Sequence, residues 1–365
     1  MIASSGDVRR ERLARLRADL PVHGLDGAVI CHGPNVRYLS GFSGSNGLLL
    51  VLSEEACLIT DFRYEDQAEE EVNGTVEVLL ATDGGIAALA DRLVDRTHVR
   101  SLAFEAEHVT VRDRRELGER CASVLWEDMP PAVEGMRAIK DPDEVERLAA
   151  AVDVAERALD EALSTVREGM AERELAAELE YRLARHGSEG PAFDTIVASG
   201  ERTALPHASP SQRRLAEGDL LLLDFGATVD GYRSDITRTV VLGAAKPWQR
   251  EIHEHVLEAQ AAALEALVPG RPAREVDRAA RDLLEVAGLG ERFGHSIGHG
   301  IGLEVHEGPR LYRESKDVIQ VGNVVTVEPG VYLSGEGGVR VEEDVEVVDG
   351  GYRVLTSSSR ALREL

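Results

Sequence analysis

Cysteine is scarce in this chain, which has only three among 365 residues. The three lie far apart, at Cys31, Cys57 and Cys121. A disulfide framework needs an even set of cysteines, and structural zinc sites commonly use CxxC pairs. Because the sequence has neither pattern, we expect no disulfide framework and no cysteine-ligated metal.

Long apolar segments are also missing. No apolar run approaches the roughly eighteen residues that indicate a membrane-spanning helix. The first residues are rich in arginine and other charged side chains and lack the apolar core of a secretory signal peptide. We therefore expect a cytoplasmic protein that does not insert into a membrane.

Basic residues are heavily outnumbered. The chain has 41 Lys and Arg against 66 Asp and Glu, a formal net charge of −25. Such a charge repels nucleic-acid backbones and anionic membranes, so the composition argues against both as partners. A solvated acidic surface is the simplest explanation. The length and the 43% apolar content are sufficient for two domains with cores of their own.

The first part of the chain has the pattern of a small α/β domain. Residues 7–20 predict an amphipathic helix, and short apolar runs predict strands in GAVICHG, GLLLVLS, ACLITD, VEVLLA, SLAFEA and SVLWED. Prolines 130 and 131 and the Lys140-Asp141-Pro142 triplet indicate a junction. We expect an amino-terminal domain of residues 1–132 and a carboxyl-terminal domain of residues 133–365.

Helical patterns follow this junction. They cover residues 142–186, with Asp141 as the expected N-cap, and residues 248–267 and 273–287. The cluster His253-Glu254-His255 lies on one of these helices but lacks the HExxH spacing of a zinc helix. We therefore expect this cluster on an exposed helix face.

The stretch LLLLDFGATVDGYRSDITRT, residues 220–239, ends a buried strand pattern in a carboxylate, Asp224. The Asp230-Gly231 pair predicts a hairpin turn. That register places Asp224 opposite Thr237 and brings Asp235 to the same face as Asp224. Two carboxylates so close together need a proton, a basic partner or a cation.

A second stretch, VGNVVTVEPGVYLSGEGGVRVEEDVEVV, repeats this arrangement about a hundred residues later. A hairpin centred near Gly335 places Glu328 opposite Glu342. Aligning Asp224 with Glu328 also aligns Gly226 with Gly330. The preceding helical segments also align. In order, Gly169, Arg173, Glu174, Leu183 and Gly187 of the first copy align with Gly270, Arg274, Glu275, Leu284 and Gly288 of the second. This internal repeat predicts one pocket surrounded by four carboxylates.

Three histidines lie upstream of Glu328 in HSIGHGIGLEVHE, at His295, His299 and His306. Glycines surround them, so the backbone can pass close to a site. One neutral imidazole added to four carboxylates forms a nitrogen and oxygen ligand set suited to a pair of divalent ions. The other two histidines would remain for proton transfer.

These motifs together resemble a known family. DFG...SDITRT, HSIGHGIGLEVHE, VEPG and GVRVEED are similar to the metallopeptidases of the pita-bread fold, the family of methionine aminopeptidase, aminopeptidase P and prolidase. NVRYLSGFSGSNG, ITDFRYEDQ and MRAIKDPDEVERL resemble the amino-terminal domain and the junction of the proline-specific members. The resemblance implies an α+β fold: a carboxyl-terminal pita-bread domain with a pseudo-twofold repeat, after a smaller creatinase-like α/β domain.

The resemblance also implies the site residues. The implied metal ligands are Asp224, Asp235, His299, Glu328 and Glu342, with Asp235 and Glu342 bridging two ions. Glu328, His306 and His207 are the implied catalytic residues, Glu328 as proton carrier for a metal-bridging hydroxide. His295, Arg310 and Arg340 are the implied substrate-binding group, in which His295 lines the pocket and Arg340 orients the acids. Manganese is the metal that the family suggests, while cobalt or zinc also suits the ligands.

The implied activity is hydrolysis of the Xaa-Pro bond in small peptides with proline at the second position. The amino-terminal domain favours this branch, and Arg310 in HEGPR favours an Xaa-Pro dipeptidase slightly over an aminopeptidase. Two alternatives stay open: a creatinase-like C–N hydrolase without metal, and a non-catalytic binding module. Relatives are commonly homodimers, and residues 61–64 are the segment that we expect at the dimer edge.

Overall fold

The computed structural model describes residues 5–94, 96 and 98–365. Its contacts divide the chain into two compact units, Met1–Arg137 and Ala138–Leu365. The sequence predicts this boundary five residues earlier, after residue 132. Within the described residues, no helix is both long and apolar enough to cross a membrane.

The first unit contains one mixed sheet with the strand order β4-β3-β2-β1-β5-β6. Strands β1, β5 and β6 run parallel, and β2 pairs antiparallel with both β1 and β3. The strands are Gly27–Ile30, Leu48–Leu52, Ala56–Thr60, Glu77–Leu80, Ser101–Phe104 and Leu125–Asp128, in the order β1 to β6. The helices are Ser5–Asp19, Gly33–Ser40, Glu65–Val72, Gly85–Val94, Val111–Arg120 and Ala132–Arg137, in the order α1 to α6. The α/β prediction for this part is confirmed, including the helix at the start and all six strands.

The second unit begins with two helices and an acidic hairpin. Helix α7 spans Pro142–Leu163 and α8 spans Glu172–Arg185. Asp141 caps α7 as expected, in a capping box with Glu144. The strands of this half are β7 Ile196–Ser199, β8 Leu220–Phe225, β9 Thr228–Val229, β10 Tyr232–Arg233 and β11 Ile236–Val241. Strand β8 lies between β11 and β7 in a three-stranded sheet, and the leucines of β8 are wholly buried because helices and sheet cover both of their faces.

The same order of elements follows a second time. Helix α9 spans Pro247–Ala266 and α10 spans Ala273–Val286. The strands are β12 Gly298–Gly300, β13 Glu307–Leu311, β14 Val324–Val327, β15 Gly330–Leu333, β16 Gly337–Arg340, β17 Glu343–Val348 and β18 Gly351–Val354. They form a five-stranded sheet, β13-β12-β14-β17-β18, and the separate β15–β16 ladder.

Backbone conformation confirms the internal repeat. Gly169 and Gly270 occupy equivalent loops, and both have a left-handed φ, of 78° and 85°. Each donates its N–H to the strand-leading segment of its own half, Gly169 to the Leu215 carbonyl and Gly270 to the Ile319 carbonyl, both at 2.8 Å. The two halves therefore share local hydrogen bonding as well as element order.

Both predicted hairpin registers are confirmed. Asp224 pairs with Thr237, and the turn residues Asp230 and Gly231 have φ values of 47° and 75°, as a type I′ turn requires. In the second hairpin Val327 pairs with Glu343, and Gly330 with Arg340. That register places Glu328 opposite Glu342.

The expectation for the His253 cluster is wrong for His253 itself. This side chain is only 3% exposed on the inner face of α9, and burial lowers its pKa to about 4. Its neighbour His255 is partly exposed, with 34% of its side chain accessible. The helical period turns these two residues to different sides of α9, and the hydrophobic core covers one of them.

Candidate metal centre

The two hairpins bring four carboxylates into one buried site. Asp235, Glu342 and His299 each offer a ligand atom, and these atoms all lie within 4.8 Å of one another. Glu328 joins them, because its Oε1 lies 3.5 Å from His299 Nε2. Asp224 completes the group and raises the pKa of both Asp235 and Glu342 through its charge. The convergence follows from strand alternation, which points the acids of each hairpin to the same face.

His299 presents one bare ring nitrogen to these acids. Its Nδ1 lies 3.1 Å from the Gly300 carbonyl oxygen. A carbonyl only accepts, so Nδ1 carries the proton and Nε2 has a free lone pair. Nε2 faces Asp235 Oδ2 at 3.7 Å and Glu328 Oε1 at 3.5 Å. Burial lowers the His299 pKa to about 3, so the ring is neutral and available as a ligand.

The protein does not neutralise the acids of this site by itself. Burial, together with the charges of neighbouring carboxylates, raises the pKa of Asp235 and Glu328 well above the usual range, and the pKa of Glu342 to about 7. Among the described residues, the one cation that forms an ion pair with these four acids is Arg340, which contacts Asp224 Oδ2. The arrangement therefore requires either protons or metal cations.

Arg340 lies behind the acids and connects several of them. Its Nε donates to Thr237 Oγ1 at 3.1 Å, and that hydroxyl donates to Glu342 Oε2 at 2.6 Å. Its Nη1 donates to the Pro206 carbonyl at 3.2 Å, next to His207. Arg340 is 3% exposed, and these bonds fix its guanidinium. It is well placed to orient the carboxylates.

A polar chain runs from Arg340 to His295. Arg340 Nη1 donates to the Tyr332 hydroxyl at 2.7 Å, and that hydroxyl lies 2.9 Å from His295 Nε2. His295 Nδ1 bonds to the Ser296 carbonyl at 2.8 Å, so Nε2 is the acceptor for Tyr332. Burial lowers the His295 pKa to about 4. The sequence reasoning missed Tyr332, although its position two residues beyond Gly330 in β15 is a usable signal of the same strand face.

One buried carboxylate, that of Glu172, holds both ends of the segment of residues 199–211, which carries His207. Glu172 Oε1 accepts from the Ser199 N–H and hydroxyl, both at 2.8 Å. Glu172 Oε2 accepts from the Ser211 N–H at 3.0 Å and hydroxyl at 2.6 Å. Glu172 is wholly buried, whereas His207 is exposed. Sequence reasoning missed Glu172, because helical patterning alone reads it as an ordinary first-turn acid.

His306 and Arg310 lie next to His299. The His306 ring packs edge-on against the His299 ring, with centroids 4.4 Å apart. Arg310 is directly opposite His299 in the β12–β13 pairing, so both side chains leave the same sheet face. The Arg310 guanidinium is exposed and has no hydrogen bond or ion pair with any other residue that the structure describes.

The donor set fits divalent cations. Asp224 Oδ1 is buried and has no hydrogen-bond partner within the described residues, so one ligand atom points into the site unused. Four carboxylates and one imidazole with a free Nε2 match the ligands that manganese, cobalt and zinc accept. Asp224, Asp235, His299, Glu328 and Glu342 could hold such ions.

A second group of possible ligand atoms lies in the first unit and has a different explanation. His32, Glu105 and Glu134 come within 4.8 Å of one another. Glu105 accepts from the N–H groups of Cys31 and His32 at 2.6 and 2.7 Å. Asn35 Nδ2 donates to both Glu105 and Glu134 at 2.6 Å. Hydrogen bonds within the unit account for this cluster.

The fold and the site define a metallopeptidase class. Residues 146–349 match the model of metallopeptidase family M24, and residues 12–139 match the creatinase/prolidase N-terminal domain. The chain belongs to metallopeptidase family M24 and is a peptidase. It has the α+β architecture of that family, a creatinase-like domain followed by a pita-bread domain.

Similarity to individual proteins extends over the full chain. An Xaa-Pro dipeptidase of Pyrococcus horikoshii is 38% identical over 98% of this chain and 99% of its own length. The structure of an Xaa-Pro dipeptidase from Bacillus anthracis matches with a TM-score of 0.94 and 37% identity, over 98% of this chain and 100% of that one. The structure of an X-Pro aminopeptidase from Thermotoga maritima matches with a TM-score of 0.90 and 38% identity, over 98% and 99%.

Proposed function

We propose that this chain is a dinuclear-metal exopeptidase that hydrolyses the Xaa-Pro bond of small peptides, and of Xaa-Pro dipeptides in particular. The observation that carries the proposal is the buried set of four carboxylates and one neutral imidazole, with Arg340 against Asp224. The proposed ligands are Asp224, Asp235, His299, Glu328 and Glu342. Relatives whose names specify Xaa-Pro substrates support the choice of bond.

The cations and the residues around them would have different roles in hydrolysis. Divalent cations bound at the site would supply Lewis acidity, which makes the attacking water acidic near neutral pH. Glu328 is 15% exposed and lies beside His299. It accepts a proton from the attacking water while the water oxygen forms a bond to the peptide carbonyl carbon. The same proton passes to the proline nitrogen as the C–N bond breaks, so that the amine does not leave as an anion.

His207 and His306 are the proposed donors to the reacting carbonyl. Both are exposed, and each carries a ring N–H that can hydrogen-bond the oxyanion as it develops. Partial burial lowers the pKa of His306, and the positive charge of Arg310 lowers it further, which favours the neutral ring. His295, on the Tyr332 and Arg340 chain, lines the pocket.

Arg310 is the proposed specificity residue. Its guanidinium is exposed beside His299 and is free to form a bidentate pair with the terminal carboxylate of a dipeptide. Arg310→Ala should raise KM for Xaa-Pro dipeptides about tenfold or more, and change KM for longer Xaa-Pro peptides little. The measurement is steady-state kinetics on a dipeptide and a matched tetrapeptide. Equal effects on both substrates would contradict dipeptidase specificity.

Chelation and reconstitution test the proposed activity. Removing metal should abolish Xaa-Pro hydrolysis, and adding Mn²⁺ should restore it, whereas a metal-free C–N hydrolase would be unaffected. Manganese is the proposed ion because the ligands are mainly oxygen atoms. Metal analysis of protein purified without added salts tests that choice, and full activity with bound zinc would overturn it.

We also propose a cytoplasmic homodimer. The supporting observations are that Cys57 and Cys121 are buried free thiols, as a reducing compartment allows, and that Phe62, in the segment of residues 61–64, is 79% exposed. Sedimentation should give a dimer for the wild type and a weaker dimer for Phe62→Ser. A fully active wild-type monomer would contradict the assembly.

A further inference from the structure

The second hairpin contains a proline where its strands would otherwise exchange two hydrogen bonds. Its register places Pro329 opposite Val341. The Val341 N–H donates to the Pro329 carbonyl at 3.4 Å. Proline has no N–H, so the return bond to the Val341 carbonyl cannot form. The ladder therefore lacks a donor at the residues adjacent to Glu328 and Glu342.

Gln260 of helix α9 supplies a donor at this point. Its Nε2 donates to the Val341 carbonyl at 2.9 Å and to the Val327 carbonyl at 3.0 Å. Its Oε1 accepts from Arg360 Nη1 at 3.2 Å. Carbonyl oxygens only accept and a guanidinium only donates, so these partners fix the orientation of the amide. The side chain is wholly buried.

The two carbonyls held by Gln260 directly precede the two glutamates. The Val327 carbonyl belongs to the peptide group that leads into Glu328, and the Val341 carbonyl to the one that leads into Glu342. Because a peptide group is planar, fixing its carbonyl also fixes the starting point of the next residue. One amide thus sets the spacing of both glutamates across the hairpin.

The first hairpin does not lack a backbone donor at the corresponding position. Phe225 occupies the position of Pro329 in the repeat, directly after the acid Asp224, and it pairs with Ile236 in the ladder. Phe225 has an N–H, so its ladder can form without help from a side chain. The amide of Gln260 therefore compensates for a feature that only the second copy has.

We infer that Gln260 is a positioning residue that holds Glu328 and Glu342 in the geometry that binds divalent cations, an inference that rests on the proposed metal centre. Loss of the amide leaves the Val341 carbonyl without a hydrogen-bond donor. The two strands can then move apart at the residues that directly precede Glu328 and Glu342. Outer partners of metal ligands typically contribute about 10- to 100-fold in metal affinity.

Calorimetric titration of metal-free protein with Mn²⁺ tests this inference. Gln260→Met should weaken binding about 10- to 100-fold. Gln249→Met is the matched control, because Gln249 is also buried on α9 and donates to a backbone carbonyl, that of Gly218, at 3.0 Å. The control should bind within about twofold of wild type. Equal affinity in Gln260→Met and wild type, or equal losses in both variants, would overturn the positioning role; failure of the wild type to bind Mn²⁺ would overturn the metal centre itself.

A second variant separates hydrogen bonding from packing. Pro329→Ala restores a backbone N–H opposite the Val341 carbonyl and should make Gln260 partly dispensable. Adding Gln260→Met to Pro329→Ala should therefore reduce Mn²⁺ affinity much less than Gln260→Met reduces it in the wild type. If the losses in Mn²⁺ affinity caused by the two substitutions simply add in the double variant, Gln260 contributes only packing, and the inference is overturned.

Discussion

Asp224 has one oxygen held by Arg340 and the other buried without a hydrogen-bond partner within the described residues. Its neighbours Asp235, Glu328 and Glu342 are acids whose pKa values rise through burial and mutual repulsion. A carboxylate in this position gains stability from a bound cation and loses it when the cation is removed.

Asp224→Asn should therefore lower activity and reduce the stabilisation that metal binding gives to the protein. Activity should fall roughly 100-fold or more, because an amide is a poorer ligand. The melting temperature of the metal-free form will reflect two opposing changes, because one repelling charge is gone and the buried Arg340 guanidinium loses its ionised partner. The metal-induced rise in melting temperature should shrink. Scanning calorimetry with chelator and with Mn²⁺ measures both quantities.

Asp230→Asn is the control for this charge change. Asp230 lies at the exposed tip of the same hairpin with a positive φ, which asparagine tolerates. This variant should keep wild-type turnover and the wild-type metal-induced shift. If Asp224→Asn behaves in the same way, Asp224 is not a ligand.

At the scale of elements, the segment between β7 and β8 depends on helix α8. Glu172 accepts four hydrogen bonds from the two serines that bound this segment. Glutamine has one acceptor oxygen and would turn its amino group towards an N–H donor. One end of the segment that carries His207 would then be released.

Glu172→Gln should lower kcat for Xaa-Pro cleavage about tenfold and leave the metal-induced rise in melting temperature unchanged. Glu174→Gln, on the same helix turn, is the control, because among the residues that the structure describes Glu174 accepts a hydrogen bond only from the Ala171 N–H, and glutamine can do the same. Kinetics and calorimetry on both variants measure the effect. An unchanged kcat in Glu172→Gln would contradict the assigned importance of the segment.

The sequence was informative about elements wherever a local signal determined their geometry. Asp230-Gly231 determined the first hairpin register, and the repeat extended that reasoning to Glu328 and Glu342. Glu172 and Gln260 were not predictable, because their partners lie far away in the chain and no periodicity indicates them. His253 was mispredicted because a helix pattern does not reveal how much of each face the core covers.

At the scale of the whole molecule, pH changes the charge balance of the metal-free protein. The Glu342 pKa is about 7 in the folded chain and 4.5 ordinarily, so its stabilising contribution is full below 4.5 and is lost as pH rises through 7. The His299 pKa is about 3 against 6.5 ordinarily, so its contribution is present above 6.5 and is lost as pH falls through 3. Above pH 6.5 the contribution of His299 to stability no longer changes with pH. The carboxylates therefore determine how the stability of the metal-free protein changes in this range.

The melting temperature of the metal-free protein should therefore fall by a few degrees between about pH 6.5 and pH 8. Metal binding keeps the carboxylates ionised without repulsion, so the metal-loaded protein should change less. The metal-induced shift in melting temperature should increase with pH over this range. Calorimetry at both pH values measures it, and a shift that shrinks would show that the acids are not the metal site.

The most direct test of the metal centre is an anomalous-scattering crystal structure of active protein reconstituted with Mn²⁺. Two peaks are expected in the pocket between the hairpins, within coordination distance of Asp224, Asp235, His299, Glu328 and Glu342. Asp235 and Glu342 should contact both peaks. Active crystals with peaks elsewhere, or with no manganese at these five residues, would contradict the account.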